Sequence, residues 1–493
     1  MMKSAIVSTA VLAAALSGCA LFGPDRSPPP FPAPDHYGAM AQPAALPKTD
    51  GVTQSIVAGG QAEPEWWRAY RCETLNALVA EGLANSPSLA ASQHALEAAR
   101  QELQGRIGET LLPKIDATFA SSRQNGLTLP SLPQRTLQYD VFAGGVGASY
   151  TFDFFGAAYM SDRALAGQVQ QQAWRLDASR RALAANIVKT TITAASLQDQ
   201  ITAAEVMVYL AEELSQQTTE RNRAGSASRD QMLAAEQLAV AMAAVLPPLK
   251  AQLLAVRHAQ AVLLGRTPDR APEPLGLDAL QAPERVPLSV PSDLLRHRPD
   301  ILAAEAAVQV AADRVGAAIA SKYPSLTLSA AYGHGGFDWS TFASPAGAIW
   351  SAGGALTQPL FHGGALEAGQ RQAEAGYQEA LSNYRQTVLS AFETVADDLA
   401  ALEQDSGSLS LAVRSDEVAR EESRDLERRY SLGAVPFSAS LEAGRNYQLV
   451  HLDYIRARAA RLTDSAALFD AMGDPEAAAR PAADEMTVHL ISQ

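Results

Sequence analysis

Asn85-Ser86-Pro87-Ser88-Leu89 opens an alanine-rich stretch that stops at Leu112-Pro113-Lys114-Ile115, and His297-Arg298-Pro299-Asp300-Ile301 opens another that stops at Tyr323-Pro324-Ser325-Leu326. The bounding prolines lie 26 residues apart in the first stretch and 25 in the second. Further along, Phe154-Phe155-Gly156 is echoed by Leu360-Phe361-His362-Gly363, and Arg221-Asn222-Arg223-Ala224-Gly225 by Arg429-Tyr430-Ser431-Leu432-Gly433, with offsets between 206 and 212. A fixed period of this kind marks a duplicated architecture and has to be recognised before any fold is assigned. The chain divides into a first repeat over 62–280 and a second over 281–472, each reading helix, strand, strand, long helix, helix.

The strands alternate with period two. Ile115, Ala117 and Phe119 oppose Asp116, Thr118 and Ser122, while Val146, Ala148, Tyr150, Phe152 and Phe154 oppose Gly147, Ser149, Thr151 and Asp153. Leu326, Leu328, Ala330 and Tyr332, then Trp350, Ala352, Gly354 and Leu356, repeat the scheme. Turn residues separate the strands of each pair, so hairpins are expected over 113–154 and 324–360. One apolar face and one small or polar face is what lipid-facing barrel strands require. Four strands cannot close a barrel, and an open edge leaves backbone groups without partners in lipid, so the barrel has to be shared between chains.

Proline is absent from 156–222, which at 1.5 Å per residue gives a helix of roughly 100 Å, and again from 363–430. In the latter, Leu381, Tyr384, Val388, Phe392, Val395, Leu399 and Leu402 recur at intervals of three and four, a coiled-coil seam. Shorter helices are expected at about 88–111 and 228–264, and at 298–321 and 438–470. Two short helices stacked end to end would match one long partner.

The N-terminus has the layout of a secretory signal over 1–18: Lys3, an apolar run from Ala5 to Leu16 too short to span a bilayer, then small residues before Cys19. Leu16-Ser17-Gly18-Cys19 resembles a bacterial lipobox, which makes Cys19 a lipidation site whose acyl chains would anchor the protein. From 19 to 61 the proline-rich composition predicts an extended tether, and 473–493 carries no periodic apolar face and is expected to be disordered. Cys72 is expected to be a small residue in a packing position.

Composition narrows the function. With 39 Lys and Arg against 53 Asp and Glu, the net charge of −14 does not suit coating nucleic acid. Two cysteines exclude a disulfide scaffold and a cysteine metal cluster. No His-Glu-x-x-His, Gly-x-Ser-x-Gly or phosphate-loop motif occurs, and the histidines lack paired ligand spacing. The expectation is a protein that performs no chemistry and needs no cofactor beyond the covalent lipid on Cys19.

Trp66-Trp67, the proline-bounded repeats, Leu264-Gly265-Arg266-Thr267-Pro268, the segment Pro291-Ser292-Asp293-Leu294-Leu295-Arg296-His297-Arg298-Pro299-Asp300-Ile301 and Arg429-Tyr430-Ser431-Leu432-Gly433 resemble the outer membrane factor family of TolC-like channels, with the lipobox pointing to its NodT-type lipoprotein branch. The resemblance implies a mixed α and β membrane protein. Its homotrimer would form a twelve-stranded outer-membrane β-barrel, four strands per chain, continuing into a long periplasmic α-helical barrel in a Gram-negative cell. It further implies a periplasmic adaptor (membrane fusion protein) and an inner-membrane transporter of the resistance–nodulation–division type as partners, with outer-membrane lipid around the barrel. By the same resemblance, Gly225, Ser228 and Gly433 are candidate adaptor contacts. Glycine suits a helix stop and serine the following N-cap. The family's acidic constriction corresponds to Ala439, which departs from aspartate, and Glu442, with Asp230 and Glu236 as further gate candidates; carboxylates gathered on a threefold axis repel one another and attract cations. The reading is a passive exit duct for small toxic compounds. The alternatives are the exit duct of a type I protein secretion system and a non-conducting structural coiled-coil lipoprotein.

Overall fold

The computed structural model describes residues 23–32, 34–38, 46, 52–60, 62–127 and 136–473. Cys19, the signal segment and the C-terminal tail from 474 lie outside the described residues. In chain order the elements are β1 (Ser55–Ala58), α1 (Glu73–Asn85), α2 (Pro87–Leu111), β2 (Lys114–Leu127), β3 (Thr136–Phe152), α3 (Ala157–Arg223), α4 (Arg229–Ala243), α5 (Leu246–Leu263), β4 (Arg285–Leu288), α6 (Pro291–His297), α7 (Pro299–Ala320), β5 (Ser325–Gly336), α8 (Trp339–Phe342), β6 (Ala348–Thr357), α9 (Ala365–Ser431) and α10 (Phe437–Ala471).

The strands β2, β3, β5 and β6 form one antiparallel sheet in that order, leaving β2 and β6 at its two edges. Register aligns the apolar positions across all four strands. Ile115, Ala148, Ala330 and Ala352 form one row, and Ala117, Val146, Tyr332 and Trp350 another. The intervening rows are small or polar: Asp116, Gly147, Ala331 and Ser351, then Thr151, Thr327 and Ala355. Residues directly opposite on neighbouring strands share a face, so one side of the sheet is apolar and the other is not. Aromatic side chains gather at both ends. Phe119, Phe142, Trp339 and Phe342 cluster far from the helices, and Tyr150, Phe152 and Phe154, with the stacked pair Phe155 and Tyr323, lie beside them. Two aromatic girdles flanking an apolar band are the pattern of an outer-membrane barrel.

Glycines in left-handed conformation turn the chain from the sheet into the long helices, Gly156 at φ 75° before α3 and Gly364 at φ 81° before α9. Both helices run 67 residues, roughly 100 Å. Near the sheet the wall reads α2, α3, α7, α9; toward the far end it reads α4 and α5, α3, α10, α9. Each chain thus supplies four helices at either height, because the short helices stack end to end. At one joint α5 gives way to α2, where Gly265 sits so close to the Asn85 carbonyl that a Cβ would collide with it. At the other, α10 gives way to α7 and Gly473 sits likewise on the His297 carbonyl.

The helix expected at 228–264 is two helices. Pro247 and Pro248 supply no N–H groups to the preceding turn, so α4 ends at Ala243 and α5 starts afresh. The helix expected at 298–321 begins at Pro299 and follows a separate short helix, α6, because Arg298 before the proline is extended. The loop of the second hairpin carries α8, capped by Asp338, which alternation could not reveal. The expected tether is not free where it is described. Arg26 bridges buried Asp313 at 3.2 Å, Phe31 and Tyr37 contact Phe392, and β1 pairs in parallel with β4. Cys72 is buried, as expected of a packing position.

The largest core lies where these elements meet at mid-height. Trp66 stacks on Phe469 at 5.5 Å, the Tyr70 hydroxyl donates to the Leu462 carbonyl at 2.8 Å, and buried Arg461 donates to Gln54 at 2.7 Å and Ser406 at 3.0 Å.

Candidate functional site

The long and short helices join in two turns at the end remote from the sheet, and both are built alike. In the first, Gly225 at φ 74° ends α3 with its N–H on the Asn222 carbonyl and the Ser226 N–H on that of Arg221. In the second, Gly433 at φ 72° ends α9 with its N–H on Tyr430 and the Ala434 N–H on Arg429. These paired bonds close the last helical carbonyls, and the left-handed residue has to be glycine to avoid a Cβ penalty. A Cβ at either glycine would meet nothing within 4 Å, so both turns face open space. The turns differ in how the next helix starts. Ser228 and Gln231 form a reciprocal capping box, Oγ accepting from Gln231 N at 3.2 Å and Gln231 Oε1 from Ser228 N at 2.9 Å. Pro436 takes that place in the second turn and gives no side-chain cap. Leu432 is 82% exposed at the tip.

Asp230 lies in the first turn of α4, Glu236 further along it, and Glu442 in the second turn of α10; all three are exposed and carry no hydrogen bond or ion pair among the described residues. The structure groups a different set of carboxyls. Asp464 of α10 is hydrogen-bonded to Asp405 of α9, with Asp398 of α9 nearby. Burial, the bond to Asp405 and its charge push Asp464 up to about 7. Burial pushes Asp398 up to about 6, with Lys189 of α3 drawing it back. Burial also raises Asp470 at the end of α10. The carbonyls there are met by cations: Arg181 donates to those of Phe469 and Asp470, and Arg298 to that of Ala471 at 3.1 Å while pairing with Asp300 at 2.8 Å. That contact accounts for Arg298 in the segment read from the sequence. The carboxyl set was missed because each member looks like an ordinary helix-surface acid; setting the two repeats in register would have found it.

A concave surface of about 890 Å³ crosses α2, α3, α7 and α9, lined by small residues with Glu102, Gln168, Gln172, Arg314, Glu379 and Asn383. A face shared by all four helices is the inside of a curved wall. Its two edges are unfinished. Within Arg229–Leu263, which spans α4 and α5, an 18-residue window has a mean hydropathy of 1.7 and yet only 17% of it is buried. On the opposite edge Leu389, Leu411 and Val418 of α9 are exposed. Such faces call for a neighbouring copy.

Comparisons with known proteins agree with this geometry. The family model for "Outer membrane efflux protein" matches residues 78–266 and 290–474. The chain is 27% identical over 460 residues to nodulation protein T of Rhizobium leguminosarum bv. viciae, covering 90% of this chain and 88% of that one. It is 30% identical to the pyoverdine export outer membrane protein OpmQ of Pseudomonas putida, over 84% of this chain and 89% of that one. Among solved structures, the CmeC outer membrane channel of Campylobacter jejuni superposes with a TM-score of 0.78 at 20% identity, covering 95% of this chain and 98% of that one.

Proposed function

The chain belongs to the outer membrane efflux protein family, and on that premise we propose that it is the exit duct of a tripartite efflux assembly, passing small toxic compounds across periplasm and outer membrane. It resides in the outer membrane of a Gram-negative cell and extends into the periplasm. Three copies close a twelve-stranded barrel, β6 of one copy meeting β2 of the next, and continue as a twelve-helix tunnel. The observation that carries the reading is the sheet with an apolar face, two girdles and two open edges, which is stable in lipid only when closed by further copies. The fold offers a passage, and energy comes from an inner-membrane pump, of the resistance–nodulation–division type, through a periplasmic adaptor.

The adaptor docks on the two turns at Gly225, Ser228 and Gly433. Glu442 narrows the closed end, with Asp230 and Glu236 contributing, since three carboxylates near one axis repel each other and hold cations. Cys19 carries the lipid. Purified trimer in planar bilayers is expected to conduct ions, and Glu442→Ala to raise that conductance. Intact trimers that never conduct would sink the duct reading. Cysteines placed at Ser228 or Gly433 are expected to cross-link to the adaptor, and labelling with a fatty-acid probe is expected to be lost in Cys19→Ala.

A further inference from the structure

We propose that α8 is a lipid contact: the loop of the second hairpin hooks over the rim of the barrel and lays this short helix on the lipid-facing side of the sheet, in the headgroup layer of the outer leaflet. The sidedness follows from strand parity. Asp116, Thr118, Ser149, Ser329 and Ser351, on the small and polar face, line a concave surface of about 540 Å³. The apolar face with Ile115, Val146, Tyr332 and Trp350 is therefore the convex one. Gly144 stands two residues from Val146 and shares its face. A Cβ on Gly144 would meet the Phe119 ring at 3.0 Å and the Phe342 ring of α8 at 3.3 Å. At Gly336, where β5 ends, a Cβ would lie 2.8 Å from the Phe342 backbone nitrogen. Thus α8 lies on the convex face, so close to the sheet that glycine is needed beneath it.

The strands show why a loop is brought there. In the outer part of the convex face Phe119 is followed across the sheet by Gly144, His334 and Ala348, which give little apolar cover. His334 would also turn a polar ring toward lipid, which is costly unless its nitrogens find partners. The helix meets both needs. The Phe342 carbonyl lies 2.9 Å from His334 Nδ1, and a carbonyl can only accept, so the imidazole donates to it. The Phe342 ring packs edge-on against His334 and Phe119, and Trp339 edge-on against Phe142. The aromatic belt on this side is thus supplied by the loop where β5 and β6 offer none. Trp339 remains 59% exposed. A large apolar ring with a single N–H is the side chain that settles where hydrocarbon meets headgroups.

The height agrees. Along β3 the span from Phe142 to Phe152 is about 33 Å of strand, or about 25 Å along the membrane normal at the usual tilt, the height of the apolar band of such barrels. The two aromatic sets therefore mark its borders, and α8 lies at the outer one. One row beyond Phe142 the convex face turns polar: Arg123 pairs with Asp140 at 3.5 Å, and Asn125 and Gln138 follow. The rim is low at this place, because β5 ends at Gly336 opposite Phe142 while β3 continues outward to Thr136. The chain crosses it there. Phe337 still touches Tyr139, which shares the parity of the concave face, at 5.8 Å, and Asp338 then caps α8 on the other side. A helix that has left the mouth cannot serve as a lid over it, and what faces it is the bilayer. This assignment rests on the outer-membrane reading above, which puts lipid on the convex face.

The test places the full-length trimer in phosphatidylcholine vesicles, with a fluorophore on one introduced cysteine and a nitroxide either on the lipid headgroup or at mid-chain. The unmodified protein, in which Cys72 is buried, gives the background label. In Trp339→Cys the probe is expected to lose most of its fluorescence to the headgroup nitroxide and less to the mid-chain one. The order is expected to reverse in Ala330→Cys, on the convex face near the middle of the band, and Ala331→Cys, on the concave face, should respond only to a water-soluble quencher. Ala343→Cys leaves Trp339 in place and is expected to follow the order of Trp339→Cys. Quenching of positions 339 and 343 from water alone, with Ala330→Cys quenched from lipid, overturns the assignment and puts α8 at the mouth. Absence of lipid quenching in Ala330→Cys ends the outer-membrane reading and the place of α8 with it. Conductance of the same protein reads the duct separately: headgroup quenching at 339 in trimers that never conduct upholds α8 and ends the duct reading, and conducting trimers quenched at 339 from water alone do the reverse.

Discussion

The two helical hairpins share a backbone and differ in what fills their seams. Between α3 and the pair α4 and α5 the core cluster is apolar, Ala194, Leu197, Ile201, Ala204, Leu249 and Leu253 with Val256 against them, flanked by a buried hydrogen bond from Gln260 to Thr191 at 2.7 Å and an ion pair of Lys250 with Glu205 at 2.8 Å. At the 208-residue spacing that relates Gly225 to Gly433, the second hairpin has Leu402, Asp405, Leu409, Ala412, Ala457, Arg461 and Asp464. Leucine and valine have become the hydrogen-bonded carboxyls Asp405 and Asp464, and another leucine has become the buried Arg461. An apolar seam is non-directional and indifferent to pH. A seam of carboxyls and arginine depends on proton count and on the angle at which its donors and acceptors meet. One scaffold has thus been used twice, as a strut and as a joint whose tightness can be adjusted.

The strongest way to break that comparison is to move chemistry from one hairpin to the other. Leu197→Asp places a carboxylate in the apolar seam without the partner that Asp405 finds in Asp464, and combines lost burial with an unmatched charge, for an expected loss of about 4 kcal/mol. Thermal unfolding of the trimer in detergent reads it. A loss no larger than that of a surface substitution would show that the first seam is not the strut it is taken to be. The converse exchange, Asp405→Leu with Asp464→Val, is expected to stabilise by about 2 kcal/mol above neutral pH. The sign follows from linkage. A carboxyl held up to about 7 when folded binds a proton that the unfolded chain has released, so stability falls as pH rises from about 4 through 7 and is lowest above that window. The unmodified protein should therefore melt lower at about pH 8 than at about pH 5, and the double variant should lose most of that slope.

The sequence made the duplication legible because prolines and glycines are placed by backbone need. Pro87 and Pro299 begin helices, Gly225 and Gly433 end them, and none of the four can move without changing the fold. Strand faces were equally legible, since alternation and register carry the same information. What was not legible depended on contacts between distant segments. The joint at Arg298 needs the C-terminus of α10, which lies 173 residues away, and Asp464 looks like a solvated helix acid until Asp405 is set beside it. Arg26 and Phe31 sit in a stretch whose proline content reads as tether, yet Asp313 and Phe392 give them partners. The turns at Gly225, Ser228 and Gly433 were placed correctly as turns; their role as contacts remains the proposal made above.

The turns offer a finer test, because here the two hairpins are expected to agree. Gly225→Ala and Gly433→Ala each force a Cβ into a left-handed conformation with no steric neighbour to complicate the result. Each is expected to lose about 1.5 kcal/mol, and equally, since φ differs by only a few degrees. Unequal losses would mean that one turn is held by contacts beyond its own backbone.

The smallest expected effect separates the turns again. Ser228→Ala removes the oxygen that accepts the Gln231 N–H, and with it half of a reciprocal pair, so α4 should lose about 1 kcal/mol at its first turn. Pro436→Ala removes no hydrogen bond, because the proline caps nothing with its side chain, and should change the start of α10 by a few tenths of a kcal/mol, roughly the benefit of a fixed φ. Hydrogen exchange of the first turns of α4 and α10 reads both. The asymmetry has a physical consequence for the proposed duct. A capped helix start stays closed at the tip, so the first turn presents a fixed surface to a docking partner, whereas the uncapped start of α10 can rotate or fray with little loss. If Ser228→Ala leaves exchange in α4 unchanged while Pro436→Ala raises it in α10, the assignment of strut and joint is reversed at the tips, and the difference between the seams would no longer extend along the whole length of the hairpins.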